Sequence, residues 1–378
     1  MSGKKRRRLL ELAELEKRQI ASRQRRRRVV AGTLFVFAVV AALVFWFSTR
    51  KPDGKQATQG VANSAEQTGK KRASDEWTLD ALLATNPQQL GDVDIALMNL
   101  LCAGGLRGSE SLDVRKSLVK LDEMAARVKQ ETERHMYRFK EKPGDYENSE
   151  PYFRMMMIAV VLQEDFGARY NPDRITTPGN FEPNDKFFAD SKDVFLHGLT
   201  GPPMMGTCSS MPVLYTAVAR RLKYPLVLVA TKNHLFCRWD DGTTRMNMDA
   251  TGSGFTSDSD DYYKTWPYKV TEQEVAEHGF LKSMTPAEEL ACFMSLRGAC
   301  LEAKNHWKSG IQAYQKAMTL APDVLTYRLI CETAQRRLAM RQAQQVMSLI
   351  DQEMGVPSLR SSRGNPPANQ PTNQPANR

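Results

Sequence analysis

Residues 234–249, HLFCRWDDGTTRMNMD, are the stretch that says most about the fold. β-Branched and aromatic residues lie on both sides of Asp241-Gly242, a dipeptide typical of the turn in a β-hairpin. A two-residue turn at this dipeptide, or a four-residue loop centred on it, places His234 opposite Asp249. The same register predicts three further cross-strand pairs: Leu235 with Met248, Cys237 with Met246, and Trp239 with Thr244.

Side chains alternate between the two faces of a strand, so this hairpin has an apolar face and a polar face. The predicted core face carries Leu235, Cys237, Trp239, Met246 and Met248. The predicted non-core face carries His234, Phe236, Arg238, Arg245, Asn247 and Asp249. Arg238 then opposes Arg245, an unfavourable pair that nearby acidic residues must compensate. On this face His234 and Asp249 have Cβ atoms about 5 Å apart. A carboxylate beside an imidazole is two thirds of a nucleophilic triad.

A cysteine precedes the hairpin at the start of a predicted helix. Residues 208–223, CSSMPVLYTAVARRLK, have apolar side chains at helical spacing, and residues 201–207, GPPMMGT, form a predicted loop. Thr207 is a plausible N-cap, which places Cys208 at the first helical position. There the helix N-terminus and a neighbouring imidazolium would stabilise a thiolate. Cys208 is therefore the candidate nucleophile.

A Gly-Thr-Cys sequence that opens a helix, with His on a following strand and Asp on the next, resembles the transglutaminase-like superfamily and its papain-like Cys-His-Asp core. The resemblance covers about residues 90–325, and the helical first half and repeat-like tail are similar to SirB-type bacterial members. It implies Cys208 as nucleophile, His234 as general base and acid, and Asp249 as the residue that orients the histidine. Ser209 departs from the Trp that many transglutaminases have there. Only the backbone N–H of Cys208 is identified as an oxyanion donor.

The role of Asp249 stays open at this stage. It either orients His234 or simply caps the loop that follows it.

The remaining patterns predict mostly helices. Helices are expected at 92–102, 114–140 and 151–166, and a strand at 226–231. Residues 291–324 resemble one tetratricopeptide repeat of 34 residues. One repeat cannot bury a core alone, so it is expected either to pack on the preceding domain or to present a groove to a partner peptide.

The N-terminal region predicts a membrane anchor. Val29–Phe47 is a run of 19 residues without a charge, which as a helix is about 28 Å long. A cleaved signal peptide is the alternative, but its apolar region would be shorter. Twelve basic residues precede the span, so the positive-inside rule puts the N-terminus in the cytoplasm and the main domain outside it, as in a bacterial periplasm.

Charge and cysteine content exclude several function classes. Of the net charge of +10, +9 resides in the first 28 residues, with 12 Lys or Arg against three acids, so nucleic-acid binding by the remaining chain is not predicted. Six cysteines without a C-x-x-C pair give neither a disulfide framework nor a zinc site, and no cofactor or metal is predicted.

The predicted fold class is α+β: a helical N-terminal half, a papain/transglutaminase-like core with an antiparallel sheet, a short all-α repeat segment and one transmembrane helix. The predicted divisions are a basic cytoplasmic tail (1–28), the transmembrane helix (29–48), a flexible linker (49–76), the transglutaminase-like domain (77–285), tetratricopeptide-like helices (286–355) and a disordered tail rich in Pro, Asn and Gln (356–378).

Two functions remain open from the sequence. The first is a membrane-anchored thiol enzyme that uses Cys208, His234 and Asp249 for acyl transfer, as an amidase, a protease or a transglutaminase-like acyltransferase on a peptide or protein. The second is a scaffold that keeps the fold without the chemistry and binds a protein or peptide partner.

Overall fold

The computed structural model describes residues 77–175, 186–252 and 254–353. The α-helices are α1 (Leu79–Ala84), α2 (Ile95–Ala103), α3 (Val114–Glu141), α4 (Glu150–Val160), α5 (Ser191–Val194), α6 (Met211–Arg221), α7 (Asp260–Tyr263), α8 (Glu272–His278), α9 (Pro286–Ala303), α10 (Trp307–Leu320) and α11 (Leu325–Glu353). The strands are β1 (Arg169–Tyr170), β2 (Met205–Gly206), β3 (Leu226–Thr231), β4 (His234–Asp240) and β5 (Arg245–Met248). Short 3-10 turns lie at Pro87–Asp92, Pro143–Tyr146, Pro172–Arg174 and Leu196–Gly198, and one π-helical turn at Val161–Asp165 extends α4.

The first half of the described chain is helical because its apolar residues recur at helical spacing and its helices begin at good capping residues. The Asp94 side chain accepts a hydrogen bond from the Ala96 N–H at 2.8 Å and so caps α2. Almost every residue of α2 is buried, so this helix lies at the centre of the main core. Around it pack α3, α6 and α9, and α4 packs in turn against α3 and α6.

Two small sheets lie beside these helices. Strands β3, β4 and β5 form an antiparallel sheet in that order, and β1 pairs with β2 in parallel. The hairpin β4–β5 is present, but its register differs from the predicted one by two residues, since Cys237 pairs with Met248 rather than Met246. The connection is a four-residue loop, Asp241–Thr244, rather than a turn centred on Asp241-Gly242. A shift of two residues preserves both faces.

This register also removes the expected clash of two arginines. Arg238 pairs with Asn247, and Arg245 pairs with Asp240. Arg238 Nη2 donates to the Asp260 carboxylate at 2.6 Å, and Arg245 Nε lies 3.5 Å from the Asp240 carboxylate. The compensating acids that the sequence required are therefore Asp260 and Asp240.

The face of the sheet that carries His234 is covered by the segment 255–284. Phe236 stacks on Tyr263 with ring centroids 3.9 Å apart, and Leu281 and Val229 complete this second apolar cluster. His234 and Arg238 are consequently buried. The sheet face that the sequence analysis placed outside the core thus packs against a second, smaller apolar core.

Helices α9 and α10 form an antiparallel pair at the position of the predicted repeat. A Cβ on Gly298 would lie 2.4 Å from the Tyr314 ring, so the close approach of these two helices requires glycine. The pair packs on the preceding domain, one of the two arrangements expected. Arg297 donates to the carbonyl oxygens of Cys102 and Gly104 at 2.8 and 2.7 Å. A bidentate ion pair also joins Arg220 of α6 to the buried Glu289 of α9.

The fold class predicted from the sequence is wrong as stated, because it included one transmembrane helix. Among the residues that the structure describes, no helix combines the length and the apolar character needed to cross a membrane. The two longest of these helices are α3, which has charged residues along its whole length, and α11, which has seven charged residues. The predicted span at 29–48 lies outside the described residues, as do the predicted basic tail, linker and C-terminal tail. What the structure does describe is a mainly helical chain with two small sheets.

Candidate active site

Cys208 lies in the tight turn that leads into α6. The helix proper begins at Met211, three residues later than the predicted start, so Cys208 is not in the helix itself. The N-cap is Ser210, so the predicted capping role of Thr207 is wrong. Thr207 instead closes the turn: its carbonyl accepts from Met211 N–H at 2.9 Å, and its hydroxyl accepts from Ser209 N–H at 3.3 Å. Cys208 therefore lies in this turn, two residues before the N-cap.

Hydrogen bonds to Asp193 hold this turn in place. The Asp193 carbonyl accepts hydrogen bonds from the hydroxyls of Thr207 and Ser210, at 2.7 and 3.1 Å. Its carboxylate in turn accepts from Asn171 and Arg174, at 2.6 and 2.9 Å. Asp193 thus ties the turn that carries Cys208 to the segment that follows β1.

His234 is the first residue of β4 and directly follows a two-residue turn. Its partner on β3 is Thr231, and Asn233 in the turn has φ 59°, a left-handed conformation that asparagine adopts more readily than most residues. His234 Nε2 lies 3.0 Å from Asp249 Oδ2. Because Nε2 is engaged by the carboxylate, Nδ1 is the ring nitrogen left for the thiol of Cys208.

Asp249 performs both roles that the sequence left open. It lies just beyond β5, and Oδ2 faces His234 while Oδ1 accepts hydrogen bonds from the backbone N–H and the hydroxyl of Thr251. One carboxylate thus caps the next loop and holds the imidazole. The contact is made although Asp249 is not directly opposite His234, since diagonal neighbours across a hairpin remain within side-chain reach.

The surroundings favour charge on both members of this pair. Burial alone would lower the pKa of His234, but its hydrogen bonds with Asp249 and Cys208 and their negative charges outweigh burial and raise the pKa to about 9. Burial opposes the charge of Asp249, and the hydrogen bonds from His234 and Thr251 outweigh it, so the pKa of Asp249 is lowered. The ring of Trp266 also packs edge-on against the imidazole, with centroids 4.7 Å apart.

Tyr170 is a site residue that the sequence analysis missed. Its phenol lies beside Cys208 on the wall of one cavity. Burial and the proximity of Cys208 raise the pKa of Tyr170, so the hydroxyl keeps its proton at neutral pH. The contact depends on the parallel pairing of Tyr170 with Gly206, two residues before the cysteine. No local motif marks Tyr170, because this pairing joins segments far apart in the sequence.

Gly206 allows this close packing. A Cβ at this position would lie 2.5 Å from Ser210 Oγ and 2.8 Å from Leu199 Cδ1. Strand β2 can approach the turn only because residue 206 has no side chain.

A cavity of about 810 Å³ opens onto the candidate residues. Cys208, His234, Tyr170 and Thr251 line one part of its wall, and helices α9 and α11 line another. Cavities of this size are typical of small-molecule and substrate sites.

The other five cysteines differ from Cys208 in their surroundings. Four of them are buried, and burial raises the pKa of Cys102, Cys237 and Cys300 to about 12. Cys292 lines the same cavity as Cys208, and its pKa is also raised to about 12 by burial. Across the described ranges, no three His, Cys, Asp or Glu side chains are grouped so as to hold a metal ion.

The structure thus brings Cys208, His234 and Asp249 together around one buried imidazole and adds Tyr170 to them. Comparisons with family models, with curated proteins and with solved structures give no match to this chain.

Proposed function

We propose that this chain is a cysteine-dependent acyl-transfer enzyme of the transglutaminase-like kind, acting on a carboxamide or peptide carbonyl. The observation that carries the proposal is the buried imidazole of His234, which has a carboxylate 3.0 Å from Nε2 and the thiol of Cys208 beside it on the same cavity wall. An imidazole between a thiol and a carboxylate is the arrangement that activates a cysteine nucleophile.

The proposed reaction begins with His234 and Cys208 as an imidazolium and a thiolate. The Cys208 sulfur attacks the carbonyl carbon, and the oxyanion that forms accepts hydrogen bonds from the Cys208 backbone N–H and the Tyr170 hydroxyl. Its collapse forms the thioester, the carbon–nitrogen bond breaks, and the amine leaves with the proton of His234. Water or a second amine then loses a proton to His234 and takes the acyl group, which returns the thiolate–imidazolium pair. Hydrolysis and transamidation differ only in this second acceptor.

Three features of the site support this chemistry. The raised pKa of His234 keeps an imidazolium available as the acid near pH 7. Tyr170 supplies the side-chain oxyanion donor that the sequence did not identify. The cavity gives a carbonyl compound access to Cys208 from solvent.

The proposal is tested by alkylating the full-length protein with iodoacetamide at pH 7 and locating the label by peptide mapping. Cys208 is expected to react first, and His234→Ala is expected to slow its alkylation at least tenfold, since the cation that stabilises the thiolate is lost. Cys292 is an internal control, because it lines the same cavity but has its pKa raised by burial.

Equal labelling of Cys208 and Cys292, or a Cys208 rate that is the same in His234→Ala, would contradict the proposal. The fold would then serve binding rather than catalysis. Cys331→Ser, a substitution of a buried cysteine outside the cavity wall, checks that the loss of a thiol elsewhere leaves the rate unchanged.

A further inference from the structure

The cavity at Cys208 extends well beyond the groups that the proposed reaction needs. Its wall continues from Cys208 and His234 to helices α9 and α11, where Leu296 of α9 and Tyr327 and Ile330 of α11 line it. Phe187 and Phe188 also line it. The part of the cavity between Cys208 and these helices is therefore an apolar chamber.

The charged side chains on this wall are already paired within the protein. Lys232 donates to Glu274, Lys282 to Glu288 and Arg174 to Asp193, each at 2.9 Å. His278 Nδ1 lies 2.8 Å from the Thr326 hydroxyl. An anionic ligand group in the chamber would meet only cations whose charge an acid of the protein already balances, whereas an uncharged apolar group would displace only water.

Resting on the proposed function, we infer that the acyl donor has a long, uncharged, apolar acyl group that lies in this chamber while its carbonyl lies at Cys208. Helices α9 and α11 then determine which acyl groups the enzyme accepts, with Leu296 and Ile330 as specificity-determining residues. The occupant follows from two observations: the nucleophile is part of the same wall, and every described cation on that wall has an acidic partner. Only the acyl portion remains attached to the sulfur in the thioester, so it is the portion that the cavity next to the thiol must hold.

The inference is tested with two activated esters, p-nitrophenyl acetate and p-nitrophenyl octanoate, on the full-length protein. In each case a bond forms between Cys208 Sγ and the carbonyl carbon, the ester carbon–oxygen bond breaks and p-nitrophenolate leaves. The octanoate-to-acetate ratio of acylation rate constants is divided by the same ratio for free glutathione. A value of about ten or more is expected, because burial of about two of the six additional methylene groups is enough to produce it.

Substitutions of residues that line the chamber test whether the preference for octanoate arises there. Leu296→Trp, which fills the chamber, is expected to reduce the normalised ratio at least fivefold. The matched control is Met340→Arg, a substitution at an exposed position of α11 that does not line the cavity and is expected to leave the ratio unchanged. If Leu296→Trp does not fold, Ile330→Trp replaces it, and the wild-type ratio remains decisive without either variant.

The possible results distinguish the inferred acyl specificity from the proposed acyl-transfer function. Acylation of Cys208 by acetate with a normalised octanoate ratio near one overturns the inference and leaves the proposed function standing. Absence of acylation by both esters overturns the proposed function as well. A high ratio that is the same in Leu296→Trp also overturns the inference, because the chain would then bind outside the chamber.

Discussion

The carboxylate of Asp249 is the group whose removal gives the sharpest test of how the site operates. Asp249→Asn keeps an oxygen that can accept from His234 Nε2 but removes the negative charge, whereas Asp249→Ala removes both. The two variants therefore separate the electrostatic contribution of Asp249 from its orienting contribution. Both are expected to slow the alkylation of Cys208 by iodoacetamide at pH 7.

The size of the effect follows from the pKa of His234. Its rise from 6.5 to about 9 corresponds to about 3 kcal/mol in favour of the imidazolium. Asp249 contributes to this rise through a hydrogen bond and its negative charge, and an adjacent opposite charge typically supplies about 2 kcal/mol. Asp249→Asn should then slow alkylation about 30-fold. Asp249→Ala also loses a buried hydrogen bond worth about 1 kcal/mol, so it should slow alkylation by about 100-fold or more.

The assay is the rate of label incorporation at Cys208, followed by peptide mapping of the full-length protein. The control is Asp260→Asn, because Asp260 accepts hydrogen bonds from Arg238 and Asn247 on the same sheet face, and its described contacts do not include His234. A rate for Asp249→Asn within twofold of wild type would refute the reasoning. An equal loss in Asp260→Asn would also refute it, since any loosening of the sheet face would then be sufficient.

Three further predictions follow from the same geometry. Tyr170→Phe should lower the acylation rate of Cys208 by p-nitrophenyl acetate about 10- to 100-fold, because an oxyanion donor is lost, whereas the exposed Tyr137→Phe should leave that rate unchanged. His234 has a pKa of about 9 in the folded chain and 6.5 as its ordinary value, so its stabilising contribution is complete below about pH 6.5 and is lost as the pH rises through 9. Urea unfolding should therefore show a difference between wild type and His234→Ala that shrinks by up to about 3 kcal/mol from pH 6 to pH 10; a constant difference would contradict the pKa assignment. Gly206→Ala should lower the free energy of unfolding by about 1–3 kcal/mol, since its Cβ would lie 2.5 Å from Ser210 Oγ; thermal unfolding at the wild-type temperature would disprove this close contact.

The hairpin illustrates how far sequence reasoning reaches. Alternation assigned the side chains to the two faces as the structure has them, because a period of two depends only on the strand itself. The register was wrong by two residues because the four-residue loop is Asp241–Thr244 and is not centred on Asp241-Gly242. The Asp241 side chain accepts from the N–H groups of Thr243 and Thr244 and from the Trp239 indole. These bonds stabilise a loop that begins at Asp241, a position that the Asp-Gly pattern alone does not predict.

The long-range parts of the site were beyond a sequence analysis. Tyr170 reaches Cys208 through a two-residue parallel pairing, and Trp266 reaches His234 because a later segment folds over the sheet. Neither contact has a local signature in composition or spacing. By contrast, Cys208, His234 and Asp249 could be proposed together because one helix start and one hairpin fix their positions.

The central claim is that Cys208 forms an acyl-enzyme with the help of His234. Mass spectrometry of the full-length chain after brief mixing with p-nitrophenyl acetate at pH 7 tests this claim most directly. One acetyl group that hydroxylamine removes is expected on Cys208, with at least tenfold slower acetylation in His234→Ala. Acetylation confined to lysines, or equally fast acetylation of Cys208 without His234, would contradict it.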